Sequence, residues 1–257
     1  LLGLFPLIAK FVVGFIRRRK GYAGWQKPAH FDYNLLVIGG GSAGLVSAYI
    51  AAAVKAKVAL IEKNKMGGDC LNTGCVPSKA LIRSARAADT LRHANRYGLE
   101  SVPVKGSFNN IMNRVREVIA KVEPHDSPER YRKLGVDCIA GEASFVSPWE
   151  LEVRHNDGRT ERLTARSIVV ATGGKPAVPS IPGLEDMEPL TSDNLWQLEE
   201  QPDRLLVLGG GPIGSELAHA FARLGSQVTQ VEMGERLLAK EDADVSELVL
   251  KQFRADG

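Results

Sequence analysis

Two stretches of the chain share one hydrophobic pattern, which predicts a strand, a helix and a second strand. The stretches are 35–62 and 205–232, and 11 of their 28 aligned positions are identical. In each, a short apolar run ends in glycines, a run of small residues with helical spacing follows, and a second apolar run ends in Glu. The two copies align without a gap, so the chain is predicted to contain two βαβ units within an α/β fold.

The two copies differ at a position where the backbone conformation matters. Gly225 stands where the second helix should end in a left-handed residue, and the equivalent residue of the first copy is Lys55. If Lys55 adopts the same conformation, the strain costs roughly 1 kcal/mol relative to glycine.

The region between the copies predicts two helices and several strands. An apolar stripe predicts a helix over 108–122, and a second, short helix is expected to begin after Ser127 and to end at Gly135. Residues 136–170 alternate like strands, with a hairpin turn at 156–158. We interpret both helices as packing elements.

The first twenty residues are apolar and then basic. Residues 1–16 are apolar except for Lys10, and the basic cluster 17–20 follows them. Sixteen residues fall short of the ~20 that span a bilayer, so we interpret them as the tail of a membrane segment with a cytoplasmic flank. An amphipathic, interfacial or tag-like helix is the alternative. Residues 21–31 are interpreted as a linker.

Composition is that of an ordinary globular protein and excludes some partners. Hydrophobic residues make up 44% and charged residues 25% of the chain. The net charge of +3 includes the four basic residues of 17–20, and the low aromatic content of 6% offers no base-stacking surface. We therefore predict no nucleic-acid partner. The expected location is the cytoplasm, at the inner face of a bacterial membrane if residues 1–16 are a membrane tail.

The glycine clusters are the first candidate chemistry. Gly39 permits a tight turn, Gly41 lets the backbone approach a pyrophosphate, and Gly44 allows close packing of helix and strand. The helix start offers amides and a partial positive charge to phosphates, while Glu62 can accept hydrogen bonds from ribose hydroxyls. Both units are thus predicted to be Rossmann-like dinucleotide-binding units. The second repeats these roles at Gly209, Gly211, Gly214 and Glu232.

The cysteines are the second candidate chemistry. Cys70 and Cys75 would have Cα atoms ~8.6 Å apart on an ideal helix, beyond the ~7 Å limit for a disulfide. A bond between them needs a distorted helix start, which Gly74 makes easier, and the helix N-terminus is expected to lower the thiol pKa values. Cys138 lies within a predicted strand and is expected to be a buried, inert thiol.

A redox-active cysteine pair is favoured over two alternatives, a zinc site and two inert thiols. Zinc would require two more Cys or His ligands at metal spacing, and the nearest histidine is His93. We predict no resident metal. The low, odd cysteine count is typical of a reducing compartment.

Three motifs together resemble the pyridine nucleotide-disulfide oxidoreductases. They are the segment GGDCLNTGCVPSK at 67–79, the two glycine clusters, and IVVATGGKPAVPSIPG at 168–183. The resemblance covers residues 33–257. Asp69 stands where dihydrolipoamide dehydrogenases usually have Thr, which favours the mercuric-reductase-like branch of the family.

The resemblance implies an FAD-dependent oxidoreductase that passes electrons from NAD(P)H through FAD to a Cys70–Cys75 disulfide. The final acceptor would be a small-molecule or protein disulfide, a dithiol-linked group or a metal ion. Cys70 would meet the substrate and Cys75 the flavin, while Lys79 and Glu216 would form an ion pair close to the flavin. The remaining residues implied to contact cofactor are Lys63, Gly68, Ala171, Thr172 and Gly173.

The sequence also bears on the choice of nicotinamide cofactor. Glu232 ends the second unit, and a carboxylate there repels the 2′-phosphate of NADPH. Residues 233–235 add no positive charge, so NADH is predicted to be preferred. Arg236 is the residue that could reverse this preference.

The chain departs from the family pattern in what it lacks. Family members use a His followed five positions later by Glu, and none of the five histidines here has that neighbour. The family's dimerisation domain is missing as well. We therefore expect a longer parent protein that is a homodimer, and a fragment that is inactive alone.

The predicted domains are an N-terminal segment with its linker at 1–31, an FAD-binding domain with the redox disulfide at 32–190, and a truncated NAD(P)-binding domain at 191–257. Two other functions stay open. One is a non-catalytic redox sensor or membrane-attached electron carrier. The other is a flavin oxidase or quinone reductase with a vestigial disulfide.

Overall fold

The computed structural model describes residue 13 and residues 21–257. The predicted membrane tail at 1–16, apart from Val13, and the basic cluster at 17–20 lie outside the described residues. Within the described part, no helix combines the length and the apolar character needed to cross a membrane.

Seven strands and seven α-helices are formed by the described residues. In chain order they are β1 Tyr33–Ile38, α1 Ser42–Ala53, β2 Val58–Glu62, α2 Gly68–Asn72, α3 Cys75–Arg92, α4 Phe108–Val122, α5 Pro128–Lys133, β3 Val136–Ser147, β4 Glu150–His155, β5 Thr160–Val170, β6 Arg204–Leu208, α6 Pro212–Leu224, β7 Gln227–Val231 and α7 Ala243–Asp256. Short 3-10 turns occupy Ala94–Tyr97, Glu123–Asp126, Glu185–Met187 and Leu195–Gln197.

These elements form two compact units that interleave along the sequence. The first contains the described residues up to Met66 together with Asp126–Gly173. The second contains Gly67–His125 together with Gly174–Gly257. The predicted domain boundaries of 1–31, 32–190 and 191–257 stay predictions.

The first unit is a parallel sheet closed by a hairpin. Strands β3, β2, β1 and β5 pair in parallel in that order. The outer strands β3 and β5 are long, and their far halves pair antiparallel with β4, which closes the ring. Strands β1 and β2 therefore have neighbours on both sides, and Leu36, Val37, Ala59 and Leu60 are completely buried.

The second unit places a parallel strand pair and helix α6 beside the helices α3 and α4. Strands β6 and β7 pair in parallel, with Leu206 opposite Thr229. Leu81 of α3, Met112 and Val115 of α4 and Phe221 of α6 meet in one core. Both copies of the repeat thus form βαβ units, and the predicted α/β fold with two Rossmann-like units is confirmed.

Most predicted elements match the structure closely. The predicted helix over 108–122 is α4, and the Ser127 side chain caps α5 by accepting a hydrogen bond from the Arg130 amide. The hairpin turn at 156–158 joins β4 to β5. These segments carry their own start and stop signals, so local sequence is sufficient to place them.

The two helices of the repeat end in the same left-handed conformation. Gly225 has a φ of 113°, and the equivalent Lys55 has a φ of 66°. The strain predicted for Lys55 is therefore present, because a Cβ atom in this conformation crowds the backbone.

We expect Lys55→Gly to raise the free energy of unfolding by roughly 1 kcal/mol, because glycine adopts this conformation without the steric cost. Urea unfolding measures the change. The reciprocal variant Gly225→Lys is the matched control and should lower stability by a similar amount. An unchanged or lower unfolding midpoint for Lys55→Gly would show that Lys55 is not strained.

Candidate functional site

The turn after β1 brings the start of α1 against the end of the strand. Gly39 has a φ of 104°, and its amide donates to the Ile61 carbonyl at 2.8 Å. A Cβ atom on Gly39 would collide with the carbonyl oxygen of Ala171, and one on Gly44 would collide with the carbonyl oxygen of Gly39. Both positions therefore require glycine, as the tight turn and the close helix packing demand.

A glutamate at the end of the second strand closes each turn. Glu62 accepts from the Gly40 amide at 2.6 Å and from the Asn64 amide at 2.7 Å. In the second unit, Glu232 accepts from the Gly210 amide at 2.5 Å and from the Gly234 amide at 2.7 Å. Backbone hydrogen bonds, that of Gly234 first and then that of Gly210, lower the pKa of Glu232 and keep it ionised.

The starts of α1 and α6 are suited to phosphate. Their N-cap residues, Gly41 and Gly211, are glycines with extended backbone and offer no side chain to the first amides of the helix. The first helical bonds run from Leu45 to Gly41 and from Ser215 to Gly211, so the amides before them have no acceptor within the helix. A Cβ atom placed on Gly211 would have no atom of the described residues within 4 Å, so space is open beside this backbone. Both turns therefore fit the pyrophosphate of a dinucleotide.

The cysteine segment forms two helices instead of one distorted helix. Cys70 lies in the short helix α2, which ends at Asn72, and Cys75 is the first residue of α3. The break at Thr73 and Gly74 is tight, since a Cβ on Gly74 would lie 2.9 Å from the Asp69 carbonyl oxygen. The predicted role of Gly74 is confirmed, and the ideal-helix separation of the two cysteines does not apply.

The two thiols are free in the structure, and their side chains interact. A hydrogen bond with Cys70 raises the pKa of Cys75, and burial and the charge of Cys70 raise it further. A backbone hydrogen bond and the ammonium of Lys79 act in the opposite direction but do not prevail. The expectation of a lowered pKa is therefore wrong for Cys75, because a neighbouring thiol outweighs the helix start.

Lys79 and Glu216 form the predicted ion pair. The Lys79 Nζ lies 2.5 Å from Glu216 Oε2, which joins α3 to α6 within the second unit. The pair is exposed, since the side chains of Lys79 and Glu216 are 61% and 44% accessible. Their role beside a flavin stays a prediction.

The other predicted site residues have varied surroundings. Lys63 Nζ lies 3.4 Å from Glu142 Oε1, so its ammonium already has a carboxylate partner.

The Ala171 amide donates to the Ile38 carbonyl at 2.8 Å, next to the first glycine turn. Thr172 and Gly173 follow it at the end of the first unit, and Gly68 begins α2 with a φ of 54°. Cys138 is half-buried instead of buried as expected, and this burial raises the pKa of its thiol.

Sequence reasoning missed two groups of contacts. The amides of Gly40 and Gly210 hold the glutamates, and the signal for this was the shared spacing of 22 residues between amide and carboxylate. The second is the indole of Trp196, which donates to the Thr73 carbonyl at 2.8 Å and so supports the helix break. No local pattern pairs Trp196 with a residue 123 positions away.

Comparison with known proteins shows the family. The sequence pattern described as pyridine nucleotide-disulphide oxidoreductase matches residues 33–257. The chain belongs to this family. The resemblance identified from the sequence is thereby confirmed, and it covers both βαβ units and the cysteine segment.

Several family members are similar over most of this chain. A mercuric reductase from Bacillus cereus is 35% identical over 228 residues, which is 89% of this chain and 35% of the relative. A dihydrolipoyl dehydrogenase from Chlorobaculum tepidum is 37% identical over 88% of this chain and 48% of the relative. The solved structure of the HOCl-induced flavoprotein disulfide reductase RclA from Escherichia coli matches with a TM-score of 0.73 and 30% identity, covering 88% of this chain and 48% of that one. The chain thus spans half or less of these family members.

We expect the two neighbours of Cys75 to shift its pKa in opposite directions in the reduced protein. Cys70→Ala should lower this pKa, because it removes the thiol that raises it, and Lys79→Met should raise it, because it removes a nearby positive charge. The pH dependence of alkylation at Cys75, followed by mass spectrometry, measures both shifts. Cys138→Ser is the control and should leave the pKa of Cys75 unchanged. Shifts of the same sign in the two test variants would contradict this account.

Proposed function

We propose that this chain supplies the dinucleotide-binding and thiol parts of an NAD(P)H-dependent flavin disulfide reductase. The observation that carries the proposal is the interacting pair Cys70 and Cys75 at a helix break, in a chain with two glycine turns suited to dinucleotides. Membership of the pyridine nucleotide-disulphide oxidoreductases supports it.

The first glycine turn is the proposed FAD site and the second the proposed nicotinamide site. The amides at the starts of α1 and α6 would hold the pyrophosphates. Glu62 and Glu232 each accept two hydrogen bonds from backbone amides. The remaining lone pairs of each carboxylate would accept hydrogen bonds from ribose hydroxyls. When bound, FAD supplies the conversion of a two-electron hydride into thiol chemistry.

The cysteines would carry the exchange with the acceptor. The Cys70 thiolate attacks a disulfide, forms a mixed disulfide and releases one thiolate of the acceptor. The Cys75 thiolate then attacks Cys70, which releases the second thiolate and leaves a Cys70–Cys75 disulfide. The acceptor gains two electrons and the cysteine pair loses two. Cys75 is also proposed to be the thiol that interacts with the flavin.

Lys79 is proposed to act through its positive charge. Its ammonium lowers the pKa of Cys75, one helical turn away, and would favour the negative charge of a reduced flavin. Glu216, 2.5 Å from the ammonium, is proposed as the positioning residue for Lys79.

The proposed acceptor is a disulfide, a dithiol-linked group or a metal ion. The related proteins are named as a mercuric reductase, a dihydrolipoyl dehydrogenase and a disulfide reductase, names that refer to a metal ion and a disulfide as acceptors and to a dithiol as an electron donor. We also propose that the complete protein is a homodimer, as the family resemblance implies.

NADH is the proposed nicotinamide substrate. Glu232 is held by two amides and has a lowered pKa, so it is a fixed negative charge directly after β7. Arg236 donates to the carbonyls of Ala239 and Glu241 at 3.2 and 3.0 Å. The Arg236 guanidinium is thus hydrogen-bonded to carbonyls of the loop that follows it, which argues against a role in binding a 2′-phosphate.

In the full-length protein, Cys70→Ser and Cys75→Ser should each lower NADH-dependent disulfide reduction by about a hundredfold or more, because serine cannot undergo thiol–disulfide exchange. Steady-state turnover with disulfide, Hg(II) and quinone acceptors measures the effect, and Cys138→Ser is the control. Full disulfide reduction by both variants would refute the proposed role. Quinone turnover by the wild type without any disulfide or Hg(II) reduction would favour a vestigial cysteine pair.

The ratio of kcat/KM for NADH to that for NADPH should be about ten or more in the full-length protein, which corresponds to ~1.4 kcal/mol. Glu232→Gln should move the ratio towards one, because it removes the charge and keeps an acceptor for one amide. Arg236→Ala should leave the ratio unchanged, and Glu235→Gln is the matched control for loss of a nearby carboxylate. A wild-type preference for NADPH would overturn the proposal.

A further inference from the structure

The second unit contains a cavity of about 620 Å³ away from the glycine turn and the cysteine pair. It lies between the C-terminal half of α3, the start of α4 and the end of α6, which contributes Leu224. Its volume is within the range of small-molecule sites, about 300–1,000 Å³.

Four cationic side chains line this cavity: Arg83, Arg92, Lys105 and Arg114. Among the described residues, no acidic side chain lines it. Arg92 donates to the Arg223 carbonyl at 2.7 Å, and Arg114 donates to the Ala80 carbonyl at 2.8 Å and to Ser84 Oγ at 3.2 Å. These partners hold the two guanidinium groups without a full opposing charge, and the Arg223 carbonyl belongs to the last turn of α6, which carries only a partial negative charge.

The other two cations are available to a ligand. In the part of the chain that the structure describes, neither Arg83 nor Lys105 takes part in an ion pair. Helix α4 adds to the positive potential, since Ser107 is its N-cap and the first turn of this 15-residue helix borders the cavity. The charge of the cavity therefore favours an anion with more than one negative charge.

The rest of the lining combines an apolar wall with the polar residues Ser84, Ser107, Asn110 and Gln201. Leu91 of α3, Val104, Phe108 and Ile111 around the start of α4, and Leu224 of α6 form this wall. Leu91 and Val104 are 46% and 41% exposed, so a ligand would remove apolar surface from water. A compact inorganic anion would leave this wall without a partner.

We propose that this cavity binds an organic phosphate, with the phosphate among the four cations and an apolar body against the wall. Arginine suits this ligand because its planar donors match the oxygens of a phosphate. Burial of the apolar body adds to the affinity, so charge and hydrophobic contact select the same class of molecule.

The proposed site is distinct from the second glycine turn and from the cysteine pair. Helix α6 begins at the second glycine turn and reaches the cavity only at its last residue, ~18 Å further along. Cys75 begins α3, and Arg83 lies ~12 Å along that helix. The inference therefore does not rest on the reductase function.

The test is a calorimetric titration of the full-length protein with phenyl phosphate, inorganic phosphate and phenol as separate probes. The protein is loaded with FAD and saturated with NAD⁺, so that the dinucleotide sites are filled. We expect phenyl phosphate to bind more tightly than either inorganic phosphate or phenol. The double variant Arg83→Ala/Lys105→Ala should weaken its binding at least about tenfold, and added salt should weaken wild-type binding more than that of the variant.

A matched double variant provides the control. Arg86→Ala/Lys121→Ala removes one exposed cation from α3 and one from α4, both outside the cavity lining, and should leave the affinity unchanged. Equal weakening in both double variants would indicate general charge attraction and overturn the proposal. Unchanged affinity in Arg83→Ala/Lys105→Ala would overturn it too, as would inorganic phosphate binding as tightly as phenyl phosphate.

Discussion

The structure depends on a close approach between the end of the first strand of each βαβ unit and the start of the helix that follows it. In both βαβ units a glycine turn makes this approach possible. The glutamate at the end of the next strand then accepts a hydrogen bond from the amide of the second glycine. Three parts are fixed at once: the strand end, the helix start and the neighbouring strand. A residue with a side chain at Gly39 or Gly44 would separate them, because its Cβ would meet backbone atoms that cannot move away cheaply. The same glycine turns leave the first amides of each helix without an acceptor in the helix. The residues needed for close packing are therefore also those suited to binding a pyrophosphate.

Sequence predicted this constraint because it is local and occurs twice. The pattern of apolar runs, glycines and terminal glutamate specifies each βαβ unit without reference to the rest of the chain. Sequence did not predict the different surroundings of the two copies. Leu36 of β1 is fully buried, whereas Leu206 at the equivalent place in β6 is 61% exposed. The reason is topological, since β1 has a paired strand on each side and β6, within the described residues, pairs with β7 alone.

The cysteine segment shows why spacing alone was insufficient. An ideal helix through Cys70 and Cys75 would hold the thiols apart, but the chain ends one helix and begins another between them. Gly74 was the signal for this break, whereas the indole of Trp196 that supports it comes from a remote segment. The sign of the pKa shift at Cys75 was missed for a related reason. The expectation considered the helix start alone, but once the two thiols meet, Cys70 disfavours the charged form of Cys75 and raises its pKa.

The ion pair between Lys79 and Glu216 illustrates how the core determines a surface arrangement. Exposed pairs of this kind contribute about 0–1 kcal/mol to stability, so this pair cannot be what holds α3 against α6. The two helices are held by apolar contacts instead, with Leu81 of α3 and Phe221 of α6 each only 1% exposed within a common core. Leu81 lies two residues after Lys79 and Phe221 lies five after Glu216, so the packing that buries the hydrophobic residues also brings the charged ones together. The same packing places the ammonium of Lys79 where it acts to lower the pKa of Cys75 at the start of the same helix, although the Cys70 thiol outweighs it.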